Sequence, residues 1–285
     1  MKIGIVDMGG GYRGIYGAGV LDYCMDKNIR FDLGIGVSAG SCNLISYACG
    51  QDRRNLTFYS EFGLRKEAAG AGTYLHKKTL IDLDYLYSTL SNSDGEYPLD
   101  YPAFVNSPME YYAVAVDART GVTRYFGKED FHQDDYSVIK ASCSLPLFCH
   151  PYPVAGEPYY DGAIGDPIPF DKAFELGCDK VVVLLTKPVG MRRSPNRDEK
   201  AAHFLRKKYP NASKKLRNRA RLYNEEVERA LELQKQGKVF IVSPEPDTCG
   251  VSTFTRDQEL LRKLYFKGYE DGQKIQTFLD SLQEN

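Results

Sequence analysis

No apolar stretch in the sequence approaches the ~20 residues of a membrane-spanning helix, so none is expected. Before its glycine cluster the N-terminus offers only IGIV, too short for the apolar core of a secretory signal. Cysteine occurs seven times, an odd number, and no two form a C-x-x-C pair. A disulfide framework is therefore not expected. Cys24, Cys42, Cys49, Cys143 and Cys178 lie in apolar or helical surroundings and read as reduced side chains of a cytoplasmic protein. The four histidines, at 76, 132, 150 and 203, lack the spacing of metal ligands, so no metal is expected. Internal repeats and low-complexity segments are missing as well.

Net charge is nearly absent, at −1, but it is unevenly spread. Residues 191–222 carry 12 Lys and Arg against 2 Asp and Glu, whereas residues 82–135 carry 11 acidic and 3 basic. The basic segment reads first as a solvated helical face, with peripheral contact to anionic lipid headgroups as the functional alternative. No nucleic-acid motif accompanies it and the rest of the chain is acidic, so a nucleic-acid partner is not expected.

What is present is a chain of 285 residues, 42% hydrophobic and 26% charged, which can bury a substantial core. Apolar runs predict strands at 3–6, 31–37, 111–116, 122–126, 181–186 and 239–242. Helical periodicity covers 14–28 and 39–50. Continuous Val, Ile and Leu runs alternating with helices predict an α/β fold, a three-layer α/β/α sandwich with a mainly parallel central sheet. Composition changes near Pro188, which divides a core at 1–188 from a C-terminal extension at 189–285. Long charged helices over 200–236, the strand VFIV and a helical face between 256 and 282 make up that extension, docked on the core. Tyrosines crowd 70–112, where they serve either a lid or acyl pocket or, more commonly, the core.

After the first strand comes VDMGGGYRG, in which Gly9, Gly11 and Gly14 fit the spacing of a dinucleotide-binding loop. That reading requires an acidic residue at the C-terminal end of the second strand, to hold a ribose. Asp32 lies at the opposite end, so no nucleotide is expected. The second strand instead ends in Gly36-Val37-Ser38-Ala39-Gly40 and runs at once into a helix, the setting of a nucleophile elbow. Gly36 and Gly40 leave room for the sharp turn, and the helix N-terminus favours negative charge beside the Ser38 hydroxyl. Adjacent parallel strands bring the glycine loop to the same edge. Backbone N–H groups of Gly9, Gly10 and Gly11 could then hold an oxyanion rather than a phosphate.

Serine requires a base. A Ser-Asp-His triad of the α/β-hydrolase kind would use His203 with Asp117 or Asp161, yet EKAAHFLRKKYP is a charged helix. His150 precedes any obvious acid in its region. Asp161, at the end of the strand-like EPYYD, is the better candidate, although Asp-Gly is also the commonest form of a plain turn.

Taken together, G-G-G-Y-R-G at 9–14, G-V-S-A-G at 36–40 and D-G-A at 161–163 resemble the patatin-like phospholipase family of the bacterial cytoplasmic branch. ASCSLPLF at 141–148 and DPIP at 166–169 add to the likeness, which spans approximately 3–186. The resemblance implies a patatin-like fold and hydrolysis of lipid carboxylic esters by a Ser-Asp dyad, with no cofactor. Ser38 would be the nucleophile, Asp161 the general base, and Gly9 to Gly11 the oxyanion donors. Arg13, Gly14, Gly36, Ala39, Gly40 and Gly162 complete the motifs. Arg13 would pair with a carboxylate, steady the loop, or lie exposed. A catalytically weak lipid-binding module of the same fold is the competing expectation.

Overall fold

A computed structural model describes residues 1–246 and 250–283. Its elements run β1 (Ile3–Asp7), α1 (Ile15–Asp26), β2 (Leu33–Val37), α2 (Ala39–Ala48), α3 (Arg54–Ser60), α4 (Ala71–Lys77) and α5 (Tyr101–Asn106). Then follow β3 (Glu110–Asp117), β4 (Thr123–Phe126), α6 (Ser137–Ser142), β5 (Tyr152–Val154), β6 (Glu157–Asp161), α7 (Phe170–Glu175) and β7 (Lys180–Leu184). The chain continues through α8 (Asn196–Leu205), α9 (Pro210–Lys235), β8 (Val239–Val242), α10 (Gln258–Asp271) and α11 (Gln273–Gln283).

The strands form one eight-stranded sheet in the order β5-β6-β3-β2-β1-β7-β8, with β4 also paired to β3. β3, β2, β1, β7 and β8 run parallel. β4 and β6 flank β3 antiparallel, and β5 pairs antiparallel with β6. Side chains of a strand alternate between faces, and the core divides accordingly. Ile5, Val182 and Leu184 join one apolar cluster, with Ile15 and Leu21 of α1 and Leu44 of α2. Val6, Val181 and Val183 join another, with Phe170 of α7 and Tyr223 and Val227 of α9. Helices therefore cover both faces, which is why the central strands are apolar throughout rather than alternating.

Downstream of 188, β8 extends the sheet beside β7, and α10 packs on α1. Two buried hydroxyl–carboxylate bonds tie those helices, Tyr16 to Asp271 at 2.8 Å and Tyr265 to Asp22 at 2.7 Å. Within the tyrosine-rich region, Tyr85, Tyr87 and Tyr97 pack around Phe58, Phe62, Leu86 and Leu90. Tyr111 is buried in the main core and Tyr74 is half exposed. Most of these rings are packing groups.

Candidate active site

The site is built where three strands end. β1 and β2 pair with Asp7 opposite Gly36, so the glycine loop and the Ser38 turn leave the sheet side by side. On the far side of β2, Val37 lies opposite Val114 of β3, and Asp161 of β6 lies opposite Ala115. β4 occupies the other edge of β3 over the same residues, so β6 takes up the edge that β2 leaves, and Ser38 and Asp161 follow one another along it at successive registers. There the Ser38 side chain interacts with the Asp161 carboxylate and favours its ionised form.

Ser38 takes φ 56° and ψ −130°, a conformation that strains a non-glycine residue by roughly 1–3 kcal/mol. The turn is too tight for a side chain at Gly36, where a Cβ would lie 2.3 Å from Ser41 Cα. Ala39 and Gly40 open α2, whose free N-terminal N–H groups lie beside the serine. Segment 141–144 holds both partners in place. The Ser142 hydroxyl accepts the Ser38 N–H at 3.0 Å, and the Ser144 carbonyl accepts the Asp161 N–H at 3.0 Å.

Asp161 is buried at 2% exposure, and its carboxylate also accepts the Ala163 N–H at 2.8 Å. Burial pushes its pKa above the usual carboxylate value. Hydrogen bonds from Ser38 and Ala163, then the charges of Arg219 and Arg193, oppose that rise. Gly162 carries the chain from the strand into a short 3₁₀ turn over Gly162–Ile164.

Gly9, Gly10 and Gly11 have φ of 63°, 126° and 61°, left-handed values that glycine adopts without penalty. The loop lies directly on the elbow, since a Cβ on Gly9 would stand 2.3 Å from Val37 O and 2.9 Å from Ala39 N. One expectation needs correction. The Gly9 N–H, expected among the oxyanion donors, donates to Asp7 Oδ1 at 2.9 Å. That leaves Gly10 and Gly11 as the glycine donors available for an oxyanion.

The sequence reading gave Asp7 no role. It is fully buried, accepts from Asn43 Nδ2 at 2.8 Å, and burial pushes its pKa to about 6. Asn43 in turn donates to Gly14 O at 2.8 Å. An acid closing an otherwise apolar strand was the available signal for Asp7. Asn43, Thr186 and Thr253 carried none, whereas Ser142 lies in the ASCSLPLF segment that adds to the family likeness. Thr186 donates to Gly9 O, and Thr253 accepts from Arg13 Nη1 at 2.7 Å. Arg13 is half-buried rather than exposed.

All four histidines are exposed, and His203 contacts Arg206 just past the end of its helix. Asp117 caps the turn after β3 by accepting the Arg119 and Thr120 N–H groups, each at 2.8 Å. Asp32 binds the Ile3 N–H at 2.7 Å, at the sheet edge away from the loops. Among the described residues no group of His, Cys, Asp and Glu could hold a metal ion, and no helix is long and apolar enough to cross a membrane.

The basic segment is partly neutralised. Asp198, buried, receives Arg193 Nε at 3.1 Å and Arg219 Nε at 3.0 Å. Arg192 pairs with Glu228, and Arg221 with Glu225. Near this cluster Lys187 is pushed down to about 8, by burial first and then by Arg13, Arg193 and Arg219.

Comparison with known proteins gives two family matches. The model described as patatin-like phospholipase matches residues 8–174, and a domain of unknown function (DUF6363) matches residues 209–284. The Escherichia coli (strain K12) protein YjjU, described as uncharacterized, is 32% identical over 197 residues, 68% of this chain and 54% of that protein. The chain thus spans about half the length of that curated relative. Among solved structures, VipD from Legionella pneumophila aligns over 98% of this chain and 67% of its own, with TM-score 0.47 and 14% identity.

Proposed function

This chain belongs to the patatin-like phospholipase family, and from that premise we propose that it is a serine acyl hydrolase cleaving lipid carboxylic esters. One observation supports the reading: an elbow serine whose side chain interacts with a buried carboxylate, with every histidine exposed. In the reaction, Asp161 takes the Ser38 proton as Oγ adds to the ester carbonyl. The oxyanion that forms is held by the N–H groups of Gly10 and Gly11. Collapse expels the alcohol, which receives the proton from Asp161, and leaves the acyl group on Ser38. Asp161 then deprotonates water, which attacks the acyl-enzyme and releases the fatty acid and the free serine. These steps call on no cofactor and no nucleotide.

The raised pKa of Asp161 supports the base role, since a carboxylate is a better proton acceptor when burial destabilises its charge. Lipid contact through 191–222 belongs to the same reading, with Lys200, Lys207, Lys208, Lys214, Lys215 and Arg217 as its outward cations. A cytoplasmic location fits the six free cysteines among the described residues, including Cys42 and Cys143, whose sulfurs lie 3.6 Å apart as thiols.

The test is hydrolysis of a p-nitrophenyl ester together with labelling by a fluorophosphonate. The label should map to Ser38, and Ser38→Ala and Asp161→Asn should each lose on the order of 10³-fold or more in kcat. His150→Gln and His203→Gln should retain activity. A histidine variant that melts normally yet is as inactive as Ser38→Ala would overturn the dyad in favour of a triad. Lipid binding with no Ser38-dependent turnover would leave the chain a binding module.

A further inference from the structure

Residues 250–257, which lead into α10, come from the part of the chain matched only to a domain of unknown function. They run to the glycine loop. The Thr253 carbonyl accepts the Tyr12 N–H at 3.2 Å, and the Thr253 hydroxyl accepts from Arg13 Nη1 at 2.7 Å. Thr253 also covers Gly11 so closely that a Cβ there would lie 2.6 Å from Thr253 O and 2.7 Å from its Cγ2. Arg13 leans the other way, with Nη2 3.0 Å from the place a Gly10 Cβ would occupy.

Both ends of this contact are anchored. Ser252 and Thr255 close a turn around Thr253, the Ser252 N–H donating to Thr255 Oγ1 at 2.7 Å. The Phe254 ring packs on Phe148 at 4.3 Å between centroids, just past the segment that holds Ser38 and Asp161. Arg256 donates to the carbonyls of Ala69 and Arg65, and Asp257 caps α10 by accepting the Glu259 and Leu260 N–H groups. α10 is in turn tied to α1, the helix that follows the glycine loop.

Three successive glycines have the largest backbone freedom a chain can offer. An oxyanion site works only when its donors are set before reaction. Asp7 and Thr186 hold the loop at Gly9. The far end, where the remaining donors lie, meets Thr253. We propose that Thr253 is a positioning residue, which sets the Gly10 and Gly11 N–H groups through Arg13 and the Tyr12 amide. The C-terminal segment is thereby a working part of the acyl-hydrolase site. This rests on the hydrolase reading above.

Thr253→Val keeps the shape and the backbone carbonyl but removes the hydroxyl acceptor, whereas Thr253→Ser retains it. In the full-length protein, Thr253→Val should lower kcat on a p-nitrophenyl ester about tenfold, part of the ~10²–10³ that loss of an oxyanion donor costs. KM should stay within about twofold, because the donors act on the transition state. Thr253→Ser should recover most of the rate, and Thr253→Val should add nothing in an Arg13→Ala background. Amide hydrogen exchange of the peptide spanning residues 9–13 should quicken in Thr253→Val and not in Thr253→Ser. Unchanged exchange in Thr253→Val overturns the proposal whatever the activity, as does equal loss in both variants or a loss confined to KM. Absence of Ser38-dependent turnover in the wild-type protein refutes the hydrolase reading instead, and the exchange measurement still decides the role of Thr253.

Discussion

Gly9→Ala adds one methyl group where the glycine loop rests on the Ser38 turn. Two costs follow from the geometry. At φ 63° an alanine is strained by roughly 1–2 kcal/mol. The new Cβ would also stand 2.3 Å from Val37 O and 2.6 Å from Gly40 N, both backbone atoms that no rotamer change can clear. Overpacking of this kind costs about 1–3 kcal/mol, so the sum is roughly 2–5 kcal/mol against a typical domain stability of 5–15 kcal/mol. The loop must move away from the elbow to relieve the contact, and a displacement near 1 Å in a catalytic group costs on the order of 10²-fold in rate. Gly50→Ala is the internal control. Gly50 has φ 68° but nothing within 4 Å of an added Cβ, so it carries the strain without the collision. Urea unfolding and kcat on a soluble ester, measured for both variants, separate the two costs. Gly50→Ala should lose only about 1–2 kcal/mol and keep wild-type kcat. If Gly9→Ala is no less stable than Gly50→Ala and equally active, the loop does not rest on the elbow as described.

Two further outcomes are expected. Asp161 must be ionised to accept the serine proton, and its folded pKa lies above the ordinary 3.8, so kcat/KM should fall as pH drops through that raised value. A profile between pH 4 and 8 should show this acid limb, and a limb that disappears in a His→Gln variant would contradict the assignment. Asp198→Asn should destabilise by roughly 3–5 kcal/mol in denaturant melts, because Arg219, at 9% exposure, would keep its buried charge without a counter-ion. A loss below about 1 kcal/mol would mean that water or another acid already serves Arg219.

Much of the fold was legible because it rests on local signals. Apolar runs at 3–6 and 239–242 appear as β1 and β8, and the strand expected at 31–37 is trimmed to Leu33–Val37. Elbow and Asp-Gly motifs were readable for the same reason: a strand that stops at a glycine-flanked Ser or at Asp-Gly is encoded within a few residues. β5 was not anticipated, since three residues with a proline among them carry too little pattern. The Gly9 role was misjudged because spacing reveals that a backbone N–H is nearby, not which acceptor claims it. Asp7 claimed it from two residues away, and only its burial shows why a carboxylate there needs that bond.

The sequence by itself determined the α/β alternation, the strand–turn–helix around Ser38, and the residue types from which an acyl-transfer site can be made. Tertiary structure decided which of them meet. β6 runs antiparallel beside β3, which brings Asp161 within reach of a serine 123 positions earlier in the chain. Likewise α10 docks on α1, which carries Thr253 to a glycine loop 240 residues away. Propensity and periodicity act over a turn or two of chain, whereas such contacts follow from which apolar faces bury one another. Only the folded sheet, with its layers in place, sets that pairing.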